Sequence, residues 1–496
     1  MTHPKKRSSR GLLAATLLLT GSSALCGDST VPSPNTAAQL LPAPNPLSFY
    51  GGKLTVDVQE RIRWEARENN FDFNANARSP ADDNWFLNRF RIGLLLKPVP
   101  WLKLYAQGQD SREWNSDRAD LPGLLGAEGD DSLDLRQGYI EIGDANRFPL
   151  VLKVGRQVLS YGDERLVGGF DWNNFGRTFD AAKLRWEEKT WSLDAFAAAV
   201  VVPEFGDFNR SDFIDDGTRK DQVFAGLYYT NAAPDFQSTD LYALYLHEDN
   251  AVPQSSGDTR FATLGARAKS KPGAFHRAPP APQDSTAGDG KSTPSTSPAP
   301  APRPAGFDYA AEVAFQTGRV RGLDHSAMAL SAGVGYTFDA PWLPRVGAEY
   351  NYASGDRNAA DGDIETFQNL FPTNHKFYGI MDLTAWQNMH QAAVGASVQP
   401  CKTLAVRIDY RAFFIASTDD VWYRANGTTP VRPLTAAARE AGKYEGSQIE
   451  CVLSWTPRKS LQVQAGYAHF IPGDYLEDTG PASAADFGYI MTTFTF

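Results

Sequence analysis

The chain has 496 residues, a formal net charge of −10, 12% aromatic residues and 42 glycines. Its acidity argues against nucleic acid as a general partner, and nothing past the first 20 residues approaches the about 18 consecutive apolar residues of a membrane helix. Frequent aromatics with a mean hydropathy of −0.39 suit strands whose apolar residues take every second position.

Lys5, Lys6, Arg7 and Arg10 precede an apolar run, Leu12 to Leu19, and Ala24-Leu25-Cys26 offers a cleavage site before Gly27. Residues 1–26 therefore read as a signal peptide. Leu25 is a poor neighbour for a lipidated Cys26. Removing four positive charges takes the net charge from −10 to −14. Cys401 and Cys451 remain, and neither pattern points to a disulfide, a metal or a nucleophile. Residues 27–52, rich in proline, read as a flexible periplasmic lead-in.

From residue 53 to 496 the pattern is all-β: a transmembrane antiparallel β-barrel of about 18 strands. Alternating segments fall near 53–66, 85–97, 101–110, 134–143, 149–158, 177–187, 191–201, 221–231, 238–248 and 258–268. They continue at 307–318, 327–338, 345–353, 389–398, 404–415, 446–456, 461–470 and 484–496. Connections alternate between tight turns, such as Lys97-Pro98-Val99-Pro100, and long loops at 111–133, 202–220, 354–388 and 416–445. Short turns belong in the periplasm and long loops outside, and an even count returns both ends to the periplasm. One short-side connection departs from this. Residues 269–306 hold nine prolines and read as a disordered periplasmic insert, either a neutral insertion or a periplasmic contact. The final strand ends on Phe494-Thr495-Phe496 and resembles the C-terminal signal that the barrel-assembly machinery recognises, with Phe496 as its terminal aromatic.

Charge is costly against lipid, so charged residues on a strand should face the lumen. Leu54, Val56, Val58, Ile62 and Trp64 take the lipid face, opposite Asp57, Gln59, Arg61, Arg63 and Glu65. Arg89 and Arg91 alternate with Phe86, Phe90, Ile92, Leu94 and Leu96. Lys103, Gln107, Gln109, Lys153, Lys183 and Arg185 follow, then Arg407 and Arg411 flanking Asp409. Arginine suits carboxylates because its planar fork donates two parallel hydrogen bonds. A pore lined this way concentrates anions, and an acidic sugar polymer would meet repeated weak sites. The same arginines can instead brace the wall through cross-strand ion pairs.

Several segments together resemble the alginate-export family of outer-membrane porins. They are Asn88-Arg89-Phe90-Arg91-Ile92, Val154-Gly155-Arg156-Gln157, Tyr161 to Leu166, Asp171-Trp172, Arg177 to Asp180, Phe367 to Gly379 and Gly466 to Tyr475. The resemblance implies an eighteen-stranded barrel with an electropositive constriction for acidic polysaccharide. Its selectivity arginines map onto Arg61, Arg89, Arg91 and Arg156. Strict alternation points Arg156 outward unless the strand bulges.

In loop 354–388, His375, Lys376, Tyr378 and Trp386 form either a lid that contacts sugar or a rigid cap. Asp356, Asp361, Asp363 and Glu365 raise calcium there, without EF-hand spacing. No cofactor is otherwise implied. The leading reading is a passive, anion-selective channel for an anionic polysaccharide, an alginate-like polyuronate or its oligomers, embedded in outer-membrane lipid. A general or sugar-uptake porin is the alternative. A barrel enzyme would need a nucleophile and base together, and Ser255 or Ser256 near His247 is the nearest pairing. A blocked-barrel adhesin would not conduct.

Overall fold

The structure is a computed structural model. It describes residues 47–70, 72–77, 82–118, 128–204, 207–211, 222–249, 257–271 and 305–496. The signal-peptide segment, Ser255, Ser256 and the interior of the proline-rich insert lie outside the described residues.

Eighteen long strands form the wall: β1 Leu54–Glu68, β2 Asp83–Val99, β3 Leu102–Trp114, β4 Asp131–Ile142, β5 Leu150–Gln157, β6 Phe179–Glu187, β7 Trp191–Val202, β8 Gln222–Asn231 and β9 Gln237–Glu248 complete the first half. The second half is β10 Thr259–Ser270, β11 Gly306–Val320, β12 Leu323–Thr337, β13 Arg345–Ala353, β14 Met389–Cys401, β15 Leu404–Ile415, β16 Tyr444–Arg458, β17 Leu461–Pro472 and β18 Ala485–Thr495. Each pairs antiparallel with the next, and β18 closes on β1 from Gln59↔Thr495 to Glu68↔Asp486. Closure satisfies every edge, which a strand in lipid requires.

Alternation sorts the two faces as the sequence predicts. Ile62, Phe86, Leu94, Phe315, Ile408 and Ile490 are exposed on the outside, while Arg61, Arg63, Arg89, Glu312 and Arg411 are buried inside. A group on β1 and β3 departs from the rule that charge points inward. Glu60, Asp110 and Arg112 occupy outward positions, between apolar neighbours such as Ile62 and Trp114. They are satisfied locally: Asn88 of β2 donates to Glu60 across the strands, and along β3 Arg112 forks onto Asp110 through two 2.8 Å bonds.

Two boundaries also differ. The lead-in is ordered from Leu47, because Leu47–Phe49 turns back through Tyr50–Gly52 and pairs with Leu54–Val56. β11 and β12 extend into residues read as a loop, and pair as far as Val320↔Leu323. Arg321 and Gly322 alone make that turn, at φ of 53° and 81°. Two successive left-handed residues match the twist of a hairpin, and Gly322 adopts this at no steric cost. Cys401 is disulfide-bonded, whereas no disulfide was expected; Cys451 is free.

The core lies inside the barrel. Loops 158–178, 354–388 and 416–443 fold inward and bury Val167, Phe371, Tyr378, Met381, Trp386 and Trp422. The inner wall makes room with small residues: Ala198, Ala314, Ala329, Ala353 and Ala468 are all fully buried. Each buried aromatic or aliphatic side chain contributes about 1.5–3 kcal/mol to holding the loops in place.

Because Leu94 is exposed on the outer face of β2 among Ile92 and Leu96, Leu94→Lys is expected to destabilise the barrel by about 2–4 kcal/mol. The midpoint of guanidinium unfolding from lipid vesicles checks this.

Candidate functional site

Arg61 on β1 lies directly opposite Arg89 on β2. Two like charges at such a pair repel. The pair persists because loop 158–178 descends onto it. Asp171 and Asn173 turn their backbone oxygens toward the guanidinium groups: Arg61 donates to Asp171 O at 2.6 Å, and Arg89 donates to the same oxygen at 2.9 Å. The Asp171 carboxylate accepts from Arg89 at 3.0 Å through one oxygen and from Arg91 at 2.7 Å through the other. Arg136, inward on β4, is 3.6 Å away. Burial alone would raise the Asp171 carboxyl, but Arg89, Arg91, Arg136 and Arg61 outweigh it and hold it far below the usual carboxylate range. Gln59 and Gln109 complete the layer, accepting from Arg89 at 2.8 Å and Arg91 at 2.6 Å.

Arg63 sits beside this group, paired with Glu65 at 2.6 Å and Glu128 at 2.7 Å. Its guanidinium also lies 4.0 Å over the Trp172 ring. Trp172 stacks on His375 with ring centres 3.7 Å apart. The loop following β5 and the loop following β13 therefore meet inside the barrel. They are joined by Arg177, which donates to Pro372 O at 2.8 Å, and by a parallel bridge between Val167 and Phe371.

The four residues of loop 354–388 read as lid or cap are all held, Trp386 by donating to Tyr352 O at 3.0 Å. His375 Nδ1 lies 2.9 Å from Asp382. Lys376 donates to Asp163 O at 3.2 Å. Tyr378 accepts from Arg165 at 3.3 Å, and Arg165 pairs with Glu349 at 3.0 Å. On the facing wall Arg411 and Arg407 converge on Glu450 at 3.1 and 3.3 Å, and Arg407 also pairs with Asp409 at 2.8 Å. Glu450 accepts the Ile380 N–H at 3.0 Å, which pins the same loop.

Toward the short-turn end the lumen is wetter. Lys103, Lys153, Lys183 and Arg185 stand on β3, β5 and β6, with Glu141 of β4 between Lys103 and Lys153, and Lys153 is opposite Lys183. Lys103 pairs with Glu141 at 2.5 Å. Lys183 and Arg185 share Asp194 at 3.5 and 3.6 Å. Lys153 rests over the Tyr139 ring at 3.6 Å. These side chains are part-exposed, unlike the arginines above them.

Arg156 is not in the lumen. It lies on the outward face with Asp180, its partner at 2.9 Å, and donates to Asn209 O at 2.8 Å. Strict alternation already placed it there, and the strand runs straight enough to keep it. The carboxylates raised for calcium do not converge either. Glu365 pairs with Arg357, Asp356 accepts from Asn358, and among the described residues no acidic or sulfur cluster could hold a metal. Sequence reasoning missed Asp171, Arg136, Asp163 and Arg267. Asp171 was legible only as part of a motif, because a loop residue carries no alternation to say where it points.

Asp163 ties loop 158–178 to β10 through Arg267 at 2.9 Å and Lys269 at 2.6 Å. Burial alone would raise its carboxyl, but Arg267, Lys269 and Lys376 lower it from 3.8 to about 2. A depressed carboxyl contributes stability above its unfolded value and loses it as pH falls through the folded one. The docked loop is thus expected to hold from neutrality to about pH 4 and to loosen between about pH 4 and pH 2. Protection of the Arg165 and Arg177 peptide bonds against an acid-active protease would report it. Glu450→Ala strands Arg411 and is expected to cost about 3–5 kcal/mol, visible as a lower temperature for the folded-to-unfolded mobility shift on gels.

The sequence profile of the family described as Alginate export matches residues 53–489. No curated protein sequence matches the chain. Among solved structures, the barrel is similar to the outer membrane protein OpdK of Pseudomonas aeruginosa, at 12% identity and a TM-score of 0.55, covering 89% of this chain and 98% of that one. OpdK with vanillate gives 12% identity and a TM-score of 0.56 over the same shares. OccD3 (OpdP) of Pseudomonas aeruginosa gives 10% identity and a TM-score of 0.53, covering 89% and 91%. At these identities the likeness is one of fold.

Proposed function

The chain belongs to the alginate-export family and is a β-barrel channel protein of the bacterial outer membrane, and from that premise we propose that its lumen is anion-selective and passes an acidic polysaccharide, an alginate-like polyuronate or its oligomers. The observation that carries this reading is the part-exposed row of Lys103, Lys153, Lys183 and Arg185 on one wall, leading toward Arg61, Arg89 and Arg91. Lys153 and Lys183 face each other on adjacent strands about 5 Å apart, and Lys103 follows two strands away, beyond Glu141. A polyuronate carries a carboxylate on every sugar, so each unit finds a new partner as the last one is released. Individually weak, partly hydrated contacts allow entry without trapping. Diffusion along such a row needs no catalytic group.

A general or sugar-uptake porin is the second reading. It is favoured by the carboxylates interleaved with the cations, Glu141, Asp194, Asp308 and Asp409, which pair with Lys103, Lys183, Arg345 and Arg407.

The test is the zero-current potential of the purified protein in a planar bilayer under a potassium chloride gradient, repeated with polyuronate on one side. Anion preference blocked by the polymer is the expected result. A pore indifferent to the polymer would leave the general porin. Lys153→Gln with Lys183→Gln is expected to move the zero-current potential toward that of an unselective pore.

A further inference from the structure

We propose that the arginine layer is a carboxylate-binding site whose resident ligand is the chain's own Asp171, and that a uronate enters by displacing it. This rests on the channel reading. The geometry is that of a bound carboxylate. One Asp171 oxygen takes Arg89 at 3.0 Å and the other takes Arg91 at 2.7 Å, with Arg136 at 3.6 Å from the second. The four arginines come from three different strands, so the wall, not the loop, builds the site.

The site is not saturated. Among the described residues no hydrogen-bond acceptor meets Nε of Arg61, Nε of Arg89, one terminal nitrogen of Arg91, or Nε and a terminal nitrogen of Arg136, and all are buried. Unmet donors on buried guanidinium groups cost free energy. A single aspartate offers two oxygens. A uronate offers two carboxylate oxygens with ring and hydroxyl oxygens beside them, and so supplies the acceptors that Asp171 lacks.

The loop keeps other anchors besides the Asp171 carboxylate, including the Asp171 carbonyl, which accepts from Arg61 at 2.6 Å and Arg89 at 2.9 Å. Phe371 donates to Leu166 O at 2.8 Å, Thr373 donates to Glu164 O at 2.9 Å, and Arg177 holds Pro372 O. The Asp171 side chain can therefore turn away while its backbone and the loop's other anchors stay. Being tethered, it competes at an effective concentration of about millimolar or above. A monomeric anion must exceed that level. A polymer that already holds the Lys103, Lys153, Lys183 and Arg185 row delivers its next carboxylate at a comparable local concentration. Asp171 thereby sets a preference for polymer over monomer.

The experiment compares block of the ion current by galacturonate and by an oligogalacturonate in the wild type, Asp171→Asn and Asp171→Glu. Asn keeps the size and one acceptor but loses the charge; Glu keeps the charge. The expected result is block of Asp171→Asn by the monomer at roughly tenfold lower concentration, with a smaller change for the oligomer and near wild-type behaviour for Asp171→Glu. Monomer block at the same concentration in Asp171→Asn and wild type, both forming folded pores, would overturn the proposal while leaving polymer passage intact. If neither sugar blocks the wild type but Asp171→Asn becomes more chloride-selective, the resident carboxylate stands and the polymer reading falls. Should Asp171→Asn fail to fold, the wild type decides. Displacement must change the Trp172 emission, obtained by difference from Trp172→Phe, at oligomer concentrations that block. No change there overturns the proposal.

Discussion

Charge compensation inside a closed apolar wall governs this structure. Arg61, Arg63, Arg89 and Arg91 are fixed by alternation on adjacent strands with lipid behind them. A guanidinium cannot shed its proton to escape burial, so each must be met by an acceptor. The wall provides Glu65, Gln59 and Gln109. The remainder comes from outside the strands, through Asp171, Glu128 and the backbone oxygens of Asp171 and Asn173. The loops are folded into the lumen partly because the wall cannot neutralise itself.

Packing and charge act together in that docking. Small inward residues on β7, β11, β12, β13 and β17 leave space that Phe371, Tyr378, Trp386 and Trp422 fill. The same loops bring carbonyls and carboxylates to the arginines. Trp172 belongs to both systems, stacked on His375 and lying under Arg63. Hydrophobic burial holds the loops by area, without regard to direction, whereas the ion pairs select one register. Below this layer the packing ends and the cations of β3, β5 and β6 are part-exposed. The lumen thus has a dry, paired level and a wetter one, with different capacities to bind a passing anion.

Strand identity was readable residue by residue. Phe86, Phe90, Ile92, Leu94 and Leu96 against Arg89 and Arg91 needed only the period of two. That period even argued correctly against Arg156 in the lumen, where the motif resemblance had placed it. It failed where the reason was not alternation. Arg321-Gly322 makes a two-residue turn that lacks the usual Asn-Gly or Asp-Gly signal. Glu60 faces outward with a partner on the neighbouring strand, and Asp110 and Arg112 face outward paired with each other along β3.

Local patterning specifies the wall: which segments cross, which face each side chain takes, and hence that arginines and lysines line the inside. Those facts follow from local backbone geometry and the exclusion of charge from lipid, and neither requires distant contacts. What the arginines meet is set by long-range packing. Asp171 lies 82 residues from Arg89 in the chain, on a loop with no periodicity to orient it. Its place is set by the summed packing of three loops against small side chains on five strands. That sum is a property of the closed barrel, and no single segment carries it.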